Sequence, residues 1–125
     1  MPELGVFIFI GEVLNKALVK QLRRRFPQAK IINSYGPTEA TIATTVVEIT
    51  DAILNSDSAV LPVGVMMPES KMEISADGEL IIWGKNVMRG YLGLPQENAA
   101  KLLHREDDAC RGYRTGDLGY AAGMI

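Results

Sequence analysis

The sequence has 125 residues, 47% of them hydrophobic and 22% charged, with a net charge of −2. That balance supports a packed core rather than a disordered chain, and nothing in it suggests nucleic acid or an anionic membrane as a partner. A single cysteine, Cys110, excludes an internal disulfide and any cysteine-built metal cluster, and suits a reducing cytoplasm.

The first residues, Met1-Pro2-Glu3-Leu4-Gly5, lack the basic segment and apolar run of a secretory signal. No apolar stretch approaches the ~20 residues of a membrane span. Val6-Phe7-Ile8-Phe9-Ile10 is a continuous apolar run ending at Gly11, the pattern of a strand buried on both faces. Asn15 is positioned to cap a helix. Leu14, Leu18, Leu22 and Phe26 recur every four residues as its core stripe. Arg23, Arg24 and Arg25 fall in the last turn, where the helix dipole favours cations, and read as a solvated helix end. Pro27 stops the helix, and Lys30-Ile31-Ile32 begins a second strand. Strand, helix and strand make a βαβ unit within about 30 residues.

The loop that follows, Asn33-Ser34-Tyr35-Gly36-Pro37-Thr38-Glu39-Ala40-Thr41, carries the densest chemistry. It leaves the C-terminal end of a strand, where open α/β sheets bind ligands. Gly36-Pro37 sets a tight bend. Tyr35 offers a ring on which a heterocycle stacks, with a polar tip. Ser34, Thr38 and Thr41 supply hydroxyls, and backbone N–H groups around a glycine cradle anions. Glu39 is a hard oxygen ligand suited to a magnesium ion that draws its other ligands from water and phosphate. Together these groups suit a Mg-nucleotide; an ordinary strand-to-strand turn would use the same residue types. Gly11, after the first strand, lies on the same sheet edge and lets a ligand approach the backbone.

Ile42 to Ile49 reads as a further strand, and Asp51 to Ala59 as a polar loop or short helix. That segment divides the chain into residues 1–56, a partial α/β portion, and residues 57–125, a β-rich portion. In the latter, Lys71 to Ile74 alternates and Ala76-Asp77-Gly78 signals a hairpin. Glu79 to Trp83 follows as a strand, and Val87 to Leu92 as another with a bend. Pro95 opens a helix over Gln96 to His104 with Ala99, Leu102 and Leu103 as its apolar face. Trp83, Tyr91 and the methionines suit strand-core packing better than a binding box. His104, the only histidine, has no metal-ligating neighbour in sequence and reads as a surface residue. Arg105-Glu106-Asp107-Asp108 reads as a charged turn, and Ala121 to Ile125 as the start of a hairpin. In Tyr113-Arg114-Thr115-Gly116-Asp117-Leu118, one carboxylate, Asp117, is able to accept from two vicinal hydroxyls, as a ribose presents them.

Three stretches resemble the adenylate-forming, AMP-binding ligases: Asn-Ser-Tyr-Gly-Pro-Thr-Glu at 33–39, Gly-Glu-Leu-Ile-Ile-Trp-Gly with Arg-Gly-Tyr-Leu between 78 and 92, and Tyr-Arg-Thr-Gly-Asp-Leu at 113–118. They run in the family's order. Gly-Glu-Val-Leu at 11–14 and Arg-Arg-Phe-Pro-Gln-Ala-Lys-Ile at 24–31 are similar to its D-alanine-activating branch. The resemblance implies a βαβ portion of a larger α/β sheet followed by a small distorted β-barrel. It implies ATP and magnesium as cofactors, with Tyr35 on adenine, Thr38 at phosphate, Glu39 on magnesium and Asp117 on the ribose. Asn33, Ser34, Gly36 and Pro37 complete the nucleotide loop. Ile10, Gly11 and Ile42 match positions that line the amino-acid pocket; the family commonly has Cys where Ile10 stands. The implied partners are an amino acid, D-alanine foremost, and an acyl-carrier protein, in a pathway that decorates teichoic acids.

The resemblance covers the middle of such a ligase. No Ser/Thr/Gly-rich phosphate loop with a lysine occurs in the sequence, nor does the lysine-bearing C-terminal domain. The expectation is a ligase fragment, inactive by itself and prone to self-association through uncovered strands. A peptide-synthetase adenylation domain for another amino acid stays open, as does a nucleotide-binding or interaction module without catalysis.

Overall fold

The computed structural model describes residues 3–105 and 110–121. The charged turn expected at Arg105 to Asp108 lies outside them after Arg105, and the terminal hairpin lies outside them after Ala121. The chain forms two compact units. The first holds the residues up to Gly36 together with Ile42–Met67; the second holds Pro37–Thr41 and the residues from Pro68 onward. The division falls after Met67 rather than at residue 56. Leu61 is buried in the first core, and the Val65–Met66 strand completes the first sheet.

In the first unit, β1 (Val6–Phe9) and β2 (Lys30–Asn33) pair in parallel, Phe7 opposite Ile31, with helix α1 (Lys16–Arg25) between them in sequence. β3 (Thr45–Glu48) runs antiparallel to β2, and β4 (Val65–Met66) antiparallel to β3. Helix α1 starts where sequence predicts: the Asn15 side chain accepts from the Leu18 N–H at 2.8 Å. Leu14, Val19, Ile31, Ile49, Leu54 and Leu61 form the core, with Phe7, Phe9 and Leu22 against it.

Three expectations change here. β1 buries one face only. Phe7 and Phe9 pack inward, while Val6 and Ile8 are 50% and 61% exposed. On α1 the fully buried residue is Val19, and Leu18 is exposed. A four-residue spacing advances about 400°, so a stripe of fours drifts around the helix by roughly 40° per step. Arg23 is not a solvated end: it donates to the carbonyls of Ile49 and Ala29 and lies 3.7 Å from Asp51. α2 (Asp51–Leu54) is one short turn capped by Thr50.

The second unit is an open four-stranded antiparallel sheet, β5 (Ser70–Ile74), β6 (Glu79–Gly84), β7 (Leu102–His104) and β8 (Arg111–Leu118), in spatial order β5-β6-β8-β7. It is not a closed barrel among the described residues; β5 and β7 are its edges. The Asp77-Gly78 turn joins β5 to β6, Gly78 holding φ +83°. Trp83 faces Gly112 across β6 and β8, and its indole N–H donates to Glu73 at 2.9 Å. The Arg105 guanidinium lies 4.0 Å from the Trp83 ring centroid.

Helix α3 (Pro95–Lys101) is shorter than predicted and leaves Ala99 exposed; Leu102 and Leu103 belong to β7 instead. His104 ends β7 on the surface. Residues 87–92 form no strand. Their backbone groups are claimed elsewhere: Arg111 donates to the carbonyls of Val87 and Met88, and Asn98 bonds both the N–H and the C=O of Tyr91.

A Cβ at Gly112 would lie 2.8 Å from the Trp83 ring. Gly112→Val is expected to lower stability by about 1–3 kcal/mol through overpacking, measured by chemical denaturation, whereas Ala99→Ser, on the exposed face of α3, is expected to leave it unchanged.

Candidate functional site

The 33–39 motif splits between the two units at Gly36. Its first half is an anchored turn of the first unit. The Asn33 amide donates to the Pro62 carbonyl at 2.9 Å, and the Ser34 hydroxyl donates to the Thr45 carbonyl at 2.6 Å; both residues are buried. The Tyr35 N–H donates to the Thr45 hydroxyl at 3.1 Å, and its carbonyl accepts from the N–H groups of Thr44 and Thr45. The Tyr35 backbone is thus fixed while the residue stays half-buried. A Cβ at Gly36 would collide with the Ile42 carbonyl oxygen, so only glycine fits that bend. In the same unit Ile10 and Ile42 are exposed apolar residues, and Gly11 holds φ +88° with open space around it.

The second half, Pro37–Thr41, belongs to the second unit and is held there by hydrogen bonds. Thr38–Ala40 form one 3-10 turn, with Thr38 exposed. The Met88 N–H donates to the Glu39 carbonyl at 2.7 Å. The Asn86 amide donates to the Ala40 carbonyl at 3.0 Å, and the Thr41 hydroxyl to the Asn86 carbonyl at 2.7 Å. Thr41 and Ile42 have φ of 63° and 66°. Successive β-branched residues in the left-handed region are uncommon, and such strain concentrates at functional sites.

The Glu39 side chain makes the central contact. The Tyr91 hydroxyl donates to Glu39 Oε1 at 2.6 Å, and the Tyr91 and Tyr113 hydroxyl oxygens are 3.3 Å apart. One carboxylate and two phenols therefore join the three motifs. The Tyr91 hydrogen bond holds the Glu39 carboxyl below its ordinary range against the opposing effect of partial burial, with Tyr113 and the Lys101 charge assisting. The same bond raises the Tyr91 phenol. Burial first, then Tyr91, raises Tyr113. Glu39 is thus anionic and both phenols are neutral at pH 7.

Asp117 is exposed, presented by an irregular turn of β8. Three positions of β6, Glu79 to Ile81, lie opposite the longer stretch Arg114 to Leu118. Gly116 in that turn has φ +76°. Glu79 secures it, accepting from Arg114 Nη2 at 2.6 Å and from the Gly116 N–H at 3.1 Å. Arg114 accordingly lowers the Glu79 carboxyl. The Thr115 hydroxyl donates to the Leu80 carbonyl at 2.7 Å and accepts from the Asp117 N–H.

Thr38, Glu39 and Asp117 therefore share one unit with Tyr91 and Tyr113; Tyr35, Ile10, Gly11 and Ile42 lie in the other. No group of three His, Cys, Asp or Glu residues is poised around a metal among the described residues. One ionised carboxylate suits magnesium, which keeps several waters and takes phosphate oxygens, better than it suits a metal needing an all-protein cage.

The description "AMP-binding enzyme" matches residues 1–92. A D-alanine–D-alanyl carrier protein ligase of Bacillus licheniformis is 42% identical over 96% of the chain and 25% of that relative. One of Staphylococcus aureus is 45% identical over 91% of the chain and 23% of its own length. The chain thus spans about a quarter of these curated relatives. Among solved structures, the Vibrio cholerae adenylation domain AlmE, in complex with glycyl-adenosine-5'-phosphate, superimposes with a TM-score of 0.78 at 28% identity, covering 94% of this chain and 24% of that one. An NRPS protein containing adenylation and PCP domains gives a TM-score of 0.77 at 26% identity, over 90% and 21%. The fold is that of adenylation domains.

The Glu39–Tyr91 bond has a defined pH window. A lowered carboxyl contributes stability above its unfolded value, lost as pH falls through the folded one. A raised phenol contributes stability below its unfolded value, lost as pH rises through the folded one. The stability difference between the native chain and Tyr91→Phe is expected to plateau between about pH 5 and 9 and to shrink on both sides, read by urea denaturation across pH. A difference independent of pH below that plateau would remove the ionic part of this contact.

Proposed function

Because the chain belongs to the AMP-binding enzyme family, we propose that it is the middle of an ATP-dependent ligase that activates D-alanine as an acyl-adenylate and passes it to a carrier protein. The observation that carries this reading is identity of about two residues in five, across nearly the whole chain, with relatives all named for that activity. The Glu39–Tyr91–Tyr113 contact supports it by tying the three motifs together.

In this reading the substrate carboxylate attacks the α-phosphorus of ATP and pyrophosphate leaves. Positioning and electrostatic stabilisation carry such a step. Tyr35 stacks on adenine from its fixed backbone, with Asn33, Ser34, Gly36 and Pro37 shaping the turn. Thr38 offers its exposed hydroxyl to phosphate. Asp117 accepts from both ribose hydroxyls. Glu39 is the residue that holds magnesium, which when bound neutralises phosphate charge. Ile10, Gly11 and Ile42 face the amino acid. The phosphate-loop lysine and the C-terminal lysine would come from outside this segment, so the segment alone is inactive. No described helix is long and apolar enough to cross a membrane; we place the parent ligase in the cytoplasm, supplying D-alanine for teichoic acids.

Ile10 favours a second reading, an adenylation domain for another amino acid, because an exposed aliphatic side chain sits where the family commonly carries a thiol. Pyrophosphate exchange by the full-length protein that carries this chain separates the readings. Exchange with D-alanine alone is expected; exchange with another amino acid supports the second reading, and none with any acid supports a module without catalysis. Asp117→Ala is expected to raise KM for ATP about tenfold or more, as loss of hydrogen bonds to a charged group costs about 1.5–3 kcal/mol.

The isolated chain is also expected to self-associate. The outward side of the first sheet exposes Val6, Ile8 and Val65, and β1 is an edge strand. Ile8→Lys should shift sedimentation toward monomer at high concentration; a wild-type chain that is strictly monomeric there would contradict this.

A further inference from the structure

A carboxylate that holds a cation by one oxygen needs its other oxygen and its rotamer fixed by the protein. Glu39 lies in a 3-10 turn with an exposed neighbour, Thr38, and its own backbone is secured by the Met88 N–H. What fixes its side chain comes from 52 residues away, the Tyr91 hydroxyl on Oε1 at 2.6 Å.

Tyr91 is itself unusually constrained for a residue outside any strand or helix. The Asn98 carboxamide accepts from the Tyr91 N–H at 2.6 Å and donates to the Tyr91 carbonyl at 3.0 Å, closing a two-point clamp. Gly90 makes room for it: a Cβ there would lie 3.0 Å from Asn98 Oδ1, and φ is +147°. The Tyr113 hydroxyl, 3.3 Å from that of Tyr91, backs it from the buried side of β8.

We propose that Tyr91 is a positioning residue for the metal carboxylate: clamped by Asn98 and backed by Tyr113, it holds Glu39 Oε1 and so aims the remaining carboxylate lone pairs at a magnesium ion accompanying the nucleotide. A carboxylate has about four acceptor sites, and one phenol leaves capacity for a cation. The inference rests on the reading of Glu39 as the metal ligand and adds the residues that give that ligand its orientation. Truncating the phenol frees the carboxylate to rotate, which weakens the metal and not the metal-free nucleotide.

The test uses the full-length protein that carries this chain and Mn2+ as probe. Free Mn2+ is followed by electron paramagnetic resonance in the presence of a non-hydrolysable ATP analogue, and nucleotide affinity is measured separately in chelator. Tyr91→Phe is expected to weaken Mn2+ about tenfold, as for a lost hydrogen bond to a charged group, with metal-free nucleotide affinity unchanged. Tyr113→Phe, which leaves the Tyr91–Glu39 bond in place and removes only the lesser Tyr113 contribution to Glu39, is expected to weaken Mn2+ less, and it supplies the readout if Tyr91→Phe does not fold. Glu39→Gln is expected to weaken it most. If Glu39→Gln weakens Mn2+ and neither tyrosine variant does, the positioning role is overturned while the metal reading stands. If Glu39→Gln has no effect, the metal reading falls and the inference with it. Equal loss of metal-bound and metal-free affinity in Tyr91→Phe would make the tyrosine merely structural and also overturn it.

Discussion

A 2.6 Å hydrogen bond from a phenol to a carboxylate, Tyr91 to Glu39, is the contact on which the second unit's chemistry depends. It is charge-assisted, and so stronger than a bond between neutral groups. It also explains a division that the linear sequence hides. Pro37–Thr41 is flanked by residues of the first unit yet is bonded to Asn86, Met88 and Tyr91 of the second. The two left-handed residues at 41 and 42 fall where the chain passes back to the first unit, and a turn carrying that strain needs the partners it has.

Much of the local structure was legible because it rests on local chemistry. Asn15 caps α1 with its own side chain, Asp77-Gly78 makes a tight turn, and the apolar run 6–9 pairs with the strand around Ile31 and Ile32. The misreadings share a cause. Val87 to Leu92 is largely apolar and reads as a strand, but Asn98, seven residues on from Tyr91, and the distant Arg111 and Glu39 carbonyl take its backbone groups. Leu102 and Leu103 look like a helix face until β8 arrives to pair with them. β1 looks doubly buried because it is apolar on both sides, and only the packing of Leu14, Val19 and their neighbours against the Phe7–Phe9 side distinguishes the faces.

The candidate site divides in the same way. Glu39 and Asp117 were identifiable from chemical type and motif. The side chains of Asn33 and Ser34, expected at the nucleotide loop, bond the Pro62 and Thr45 carbonyls and hold the shape of the turn that begins the motif. Tyr113 stands out in the sequence only as a member of a matching stretch, and Tyr91 there reads as strand-core packing. The Tyr91–Glu39 contact spans 52 residues, a pairing that no spacing rule supplies. Glu79 likewise carries no signal in the sequence beyond its strand, although its two oxygens secure the turn that presents Asp117.

The most direct measurement places 19F-labelled tyrosine in the full-length protein and adds a Mn2+–nucleotide complex. Paramagnetic broadening falls steeply with distance, so it reads which phenols stand beside the metal. The account predicts that the Tyr91 and Tyr113 resonances broaden first and most strongly, and that Glu39→Gln abolishes the effect. Sharp Tyr91 and Tyr113 signals, with broadening confined to tyrosines elsewhere, would contradict it.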